Sequence, residues 1–119
     1  MILLGDINIS SDSLVDIVRK EDIVNTKSNN VVSFNYDMSL MKYCNENNVS
    51  YAVKVTNINE LIYSNLLNAK YILVEKDLSC KAQKIADDYM YDSKVIVKIN
   101  STNELEWVVS NIIDGAILI

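Results

Sequence analysis

The chain has no histidine and no proline, and of its 119 residues only Gly5 and Gly115 are glycine. Without histidine, one chain cannot supply an imidazole for general acid–base work, for Ser-His or Cys-His nucleophiles, or for His-ligated zinc or iron. Two isolated glycines build neither a GxGxxG nor a GxxxxGK phosphate cradle. The missing proline, beside many Asn and Ile, fits an AT-rich coding sequence and carries no structural weight. Cysteine is almost as scarce. Cys44 and Cys80 stand alone on predicted helices without ligand spacing, and read as small core residues in a reducing compartment. No metal site and no cofactor are expected.

The amino terminus also lacks the marks of export. Met-Ile-Leu-Leu-Gly has no basic region, and Asp6 interrupts it after three apolar residues, so neither a signal peptide nor a membrane span is expected and the protein is placed in the cytoplasm. Formal charge is −5, and the basic residues are scattered singly, which argues against nucleic acid and against a membrane surface as partners. Half of the residues are apolar, enough for a single domain over 1–119 to bury a core without disulfides.

The most informative stretch is Val53 to Leu61, Val-Lys-Val-Thr-Asn-Ile-Asn-Glu-Leu, because Val97 to Leu105 nearly repeats it 44 positions later as Val-Lys-Ile-Asn-Ser-Thr-Asn-Glu-Leu. Each copy reads as an apolar strand holding one lysine, a polar turn, and a helix start with Glu at its third position. Around them, apolar β-branched runs at 31–35, 50–55, 71–75, 94–99 and 115–119 alternate with helical patterns at about 37–47, 57–68, 77–91 and 101–112. Single helices between strands imply parallel pairing through right-handed crossovers. The expected fold is therefore α/β, with a parallel sheet of about five strands, either doubly wound in three layers or half-barrel-like.

Helix starts are marked by candidate caps at Asp37 and Asp77 and by capping boxes at Asn57/Glu60 and Ser101/Glu104. On the third helix Leu78, Ala82, Ile85, Ala86, Tyr89 and Met90 are predicted to share an inward face; on the last, Leu105, Val108, Val109, Ile112 and Ile113. Residues 1–30 are the irregular part, with a short strand at Ile2–Leu4, one or two helical turns over 12–18, and a polar loop at 25–30.

Candidate chemistry centres on Lys54 and Lys98, which interrupt strands that are normally apolar on both faces. A desolvated amine there would suit Schiff-base chemistry, whereas the plainer reading is a pair of lysines snorkelling at strand ends. Polar residues after the strands, Asp37, Thr56, Glu75 and Asn100 among them, would converge on a ligand crevice at the carboxyl ends of a parallel sheet, although helix caps use the same residue types. In Asp87-Asp88-Tyr-Met-Tyr-Asp92, three carboxylates gather at a helix carboxyl end, with the aromatics expected to turn inward. The favoured reading is a non-enzymatic module acting through protein contacts or self-association. A homodimer is expected, using the uncovered last strand, the lysine-bearing face, or both. The alternative is a lysine-dependent lyase or small-ligand sensor with its site at the strand ends.

Overall fold

The alternation of β-branched runs and capped helical segments produces a seven-stranded sheet in the computed structural model, which describes residues 1–27 and 29–119. The strands are β1 (Ile2–Leu4), β2 (Leu14–Asp16), β3 (Val31–Asn35), β4 (Tyr51–Lys54), β5 (Tyr71–Val74), β6 (Lys94–Ile99) and β7 (Gly115–Leu118). Helices α1 (Met38–Glu46), α2 (Ile58–Leu66), α3 (Lys76–Asp88) and α4 (Leu105–Ser110) follow β3 to β6, and 3-10 turns occupy Lys20–Asn25 and Thr102–Glu104. Strand order is β1-β7-β6-β5-β4-β3-β2, with every neighbouring pair parallel. From β2 to β7 each strand lies next to its predecessor, so every crossover advances the same way and the helices collect on one side.

Two apolar clusters result. Leu40, Met41 and Cys44 of α1, Leu61 of α2, Ala82 and Ala86 of α3 and Val108 of α4 pack on Phe34, Val53, Ile72, Val97 and their neighbours. The other cluster, built on Leu4, Val31, Ala52, Tyr71, Leu73 and Ile96, draws its buried residues from strands alone. The sheet curls into a half-barrel, and on its concave side these side chains bury one another, with Leu73 at 2% exposure and Ile96 at 0%. On the helix-covered face Val53, Val55, Ile72, Val95, Val97 and Ile99 are all buried.

The count of about five strands falls short by two, both in the amino-terminal thirty residues. Ile2–Leu4 is the expected strand, pairing with β7, but the helical turns expected over 12–18 are replaced by β2, which pairs with β3. The expected polar loop at 25–30 begins at the end of a 3-10 turn and includes Ser28, which lies outside the described residues. Residues 5–13 strap one sheet edge to the other, tied near their carboxyl end by Asp12, which accepts a hydrogen bond from the Tyr71 hydroxyl (2.6 Å) and pairs with Lys70 Nζ (2.7 Å). Those two bonds hold the Asp12 carboxyl below its ordinary pKa, while burial, then the Asp12 bond, pushes Tyr71 up to about 12.

Both glycines stand where β1 meets β7. A Cβ at Gly115 would lie 2.7 Å from Ile2 Cβ and closer still to the Ile2 carbonyl oxygen; Gly5, at φ +81°, turns the chain off β1 with its Cβ position 2.7 Å from the Leu118 oxygen. The last strand, expected to be uncovered, is therefore flanked by β6 and β1, and its Gly115 and Ala116 are buried.

Each of the four α-helices ends alike. The residues after the carboxyl-terminal caps, Asn48, Asn68, Met90 and Ile112, have φ between 52° and 64°. The next amide in each case reaches back five residues, from Val49 to Cys44, Ala69 to Ser64, Tyr91 to Ala86 and Ile113 to Val108. The left-handed step breaks the helical phase at Met90 and Ile112, which are exposed at 85% and 79% instead of facing inward, while Tyr91 and, as expected, Ile113 pack inward. Tyr89 and Val109, also expected inward, precede the step and are exposed at 75% and 61%.

Candidate functional site

Lys54 closes β4 and Lys98 stands next to last in β6. In a strand, successive side chains alternate, and because Val53, Val55, Val97 and Ile99 take the helix-covered face, both lysines are directed to the concave one. Lys54 has Asn35 beside it on β3 and Leu73 on β5; Lys98 has Ile117 beside it on β7. There they border a cleft of about 320 Å³ at the carboxyl ends of the strands, lined by Asn35, Tyr36, Lys54, Val55, Thr56, Glu60, Leu73, Glu75 and Lys98. Leu73 forms its apolar floor.

Each lysine meets a carboxylate. Lys98 Nζ donates to Glu75 Oε1 at 3.1 Å, and Lys54 Nζ lies 3.5 Å from Asp16 Oδ1 at the end of β2. The lysine side chains are 27% and 32% exposed and their partners 66% and 79%, so each pair is worth about 0–1 kcal/mol. Neither ammonium is the isolated, desolvated amine that Schiff-base chemistry draws on. Glu60, also in the cleft lining, has its Oε1 accepting from the Thr56 amide (2.8 Å) and hydroxyl (3.2 Å), which fixes its carboxylate. Burial, and then the charge of Glu60, raises the Tyr36 pKa, so its phenol is protonated and able to donate at neutral pH.

Of the six residues expected at a site, Lys54, Thr56, Glu75 and Lys98 line this cleft, and Asp37 and Asn100 do not. Asp37 caps α1, its Oδ1 accepting from the Leu40 amide at 3.1 Å. The Asn100 amide donates to Glu104 Oε2 at 2.6 Å, inside the capping box of the last helix. That box also receives Lys76 Nζ at Glu104 Oε1, and these contacts lower the Glu104 pKa, Lys76 contributing most. Two cap expectations shift by a residue or two. Asn57 caps α2 as expected, but Glu60 reaches back to Thr56 rather than to Asn57; α3 begins after Glu75 rather than at Asp77.

Tyr36, Glu60 and Asp16 were not among the expected site residues. Glu60 was legible as a cap, and the same reach back to Thr56 that caps α2 puts it in the cleft wall. Asp16 was concealed by reading 12–18 as helix, although Val15, Asp16 and Ile17 alternate as in a strand.

Two larger hollows lie elsewhere. One, of about 460 Å³, sits between the strap and Leu4, Leu14 and Ile117; the other is an open groove of about 860 Å³ at the amino ends of the strands, lined by Asn45, Asn48, Asn65 and Asn68 among others. The smaller cleft is the stronger candidate, because ligands of parallel sheets bind beyond the strand carboxyl ends and there paired charges and a phenol meet over Leu73, whereas the Lys70 and Tyr71 polar groups of the amino-end groove are both engaged by Asp12. Among the described residues, no group of three or more His, Cys, Asp or Glu side chains is placed to hold a metal ion, and no helix is long and apolar enough to cross a membrane. No protein-family model matches the sequence, and comparison with curated proteins finds no match.

Proposed function

We propose that the protein is a non-catalytic module that binds a small polar ligand in the cleft at the carboxyl ends of its strands. The observation that carries this reading is the convergence of Lys54, Thr56, Glu75 and Lys98 with Tyr36 and Glu60 on one hollow over an apolar floor. The lyase alternative is weaker, since both amines are engaged by carboxylates. Two free thiols, Cys44 and Cys80, support a cytoplasmic setting. A thermal-shift screen of polar metabolites tests the reading. A ligand at 100 times its dissociation constant adds about 2.7 kcal/mol to the folded state, a shift of several degrees that Lys98→Met should abolish. No stabilisation by any compound at millimolar concentration would refute it.

Self-association as a homodimer is the second reading, now on a different surface. Ile62, Tyr63 and Leu66 form an apolar strip on α2, exposed at 38%, 50% and 66%. The grounds the sequence offered, an open last strand and an uncovered lysine face, are met within the chain by β1 and by the curl of the sheet. Light scattering over a concentration series decides it: a dimer mass that Leu66→Glu returns to monomer supports the strip, and a monomer mass throughout removes it.

A further inference from the structure

Resting on the reading of the cleft as a ligand site, the arrangement of charge within it narrows the ligand's class. The cleft lining presents ammonium groups from Lys54 and Lys98 and carboxylates from Glu60 and Glu75, with Asp16, outside the lining, paired to Lys54. A simple anion would gain two lysines but lie against those carboxylates, and a simple cation would meet the reverse. A molecule carrying both signs a few bonds apart satisfies both kinds of group at once. The resident Lys98–Glu75 pair is no obstacle, because partly solvated pairs are worth about 0–1 kcal/mol and open at little cost. At about 320 Å³ the cleft is at the small end of ligand sites, and Leu73 on its concave face is the apolar contact it offers a short side chain.

We propose that the cleft takes a small zwitterion of the amino-acid class. Its carboxylate is received by Lys54 and Lys98 with the Tyr36 hydroxyl, and its ammonium group by Glu75 and the Asn35 side-chain carbonyl. The test titrates the full chain by calorimetry with the standard amino acids, each beside its deaminated acid and its decarboxylated amine; for alanine these are propionate and ethylamine. At least one amino acid is expected to bind, both of its truncated analogues about tenfold or more weakly. Lys98→Met and Glu75→Gln should each weaken binding to a similar degree while leaving the urea midpoint unchanged. Equal binding of the deaminated acid overturns the zwitterion and leaves the small-ligand reading standing, as does a failure of every amino acid when another metabolite binds in the cleft. If nothing in either collection binds, both readings fall.

Discussion

Replacing Ile112 by asparagine should stabilise the protein, and the chain supplies its own reference for the size of the gain. The four α-helices end in the same left-handed step, occupied by Asn48, Asn68, Met90 and Ile112 at φ 55°, 64°, 52° and 53°. For an L-residue this conformation costs about 1–2 kcal/mol, asparagine escapes much of that through local hydrogen bonding, and a β-branched side chain suffers it most. Against the gain stands the burial that isoleucine loses. Its side chain is 79% exposed, so roughly a fifth of the 1.5–3 kcal/mol of full burial is at stake, about 0.3–0.6 kcal/mol. The net expectation is about 0.5–1.5 kcal/mol of added stability, a rise in Tm of roughly 2–6 °C for a domain of this size. Urea denaturation with an unchanged m-value is the assay, and Asn48→Ile, the reverse change at the equivalent position, should lose a similar amount. A neutral or destabilised Ile112→Asn, with Asn48→Ile tolerated, would refute the account of these helix ends.

Gly115→Ala should cost about 1–3 kcal/mol by driving a methyl group into Ile2, and amide exchange at Leu3 and Leu4 should accelerate as β1 loosens; an unchanged midpoint would mean that β1 does not pair as described. Ser101→Ala should cost about 1 kcal/mol, because Ser101 Oγ accepts from the Asn103 amide at 3.2 Å in the capping box; an unaltered midpoint would deny the cap. Asp12 sets an acid-side dependence. Its folded pKa lies below its unfolded value of about 3.9, so its contribution is complete above that value and is lost as pH falls through the folded one. Asp12→Asn should thus be less stable than the parent at pH 7 and converge with it toward pH 2, whereas a constant difference would exclude the Lys70 and Tyr71 bonds as its source.

From residue 31 onward the fold is legible because its signals are local. Runs such as Val-Val-Ser-Phe-Asn and Val-Ile-Val-Lys-Ile specify strands, and Asp37, Asn57 and Ser101 mark helix starts by their own side chains. β1 was expected at Ile2–Leu4, but its pairing with β7 at the other end of the chain is recorded by no local pattern, and the three residues of β2 are too few to separate a strand from helical turns. Helical periodicity likewise overran its range at Met90 and Ile112, since neither residue type announces a left-handed step as Asn48 and Asn68 do. At the site, Lys54 and Lys98 stood out by breaking apolar strands. Asp37 and Asn100 were chemically indistinguishable from Thr56 before their cap hydrogen bonds were seen.

The binding role of the carboxyl-end cleft is tested most directly by amide-resolved NMR of the full chain, titrated with a mixture of polar metabolites beside the Lys54→Met/Lys98→Met double variant. Saturable shifts should be confined to residues 35–36, 54–56, 60, 73–75 and 98 and vanish in the double variant. Shifts centred instead on the amino-end groove around Asn48, Asn68 and Met90, or equal shifts in the double variant, would contradict it.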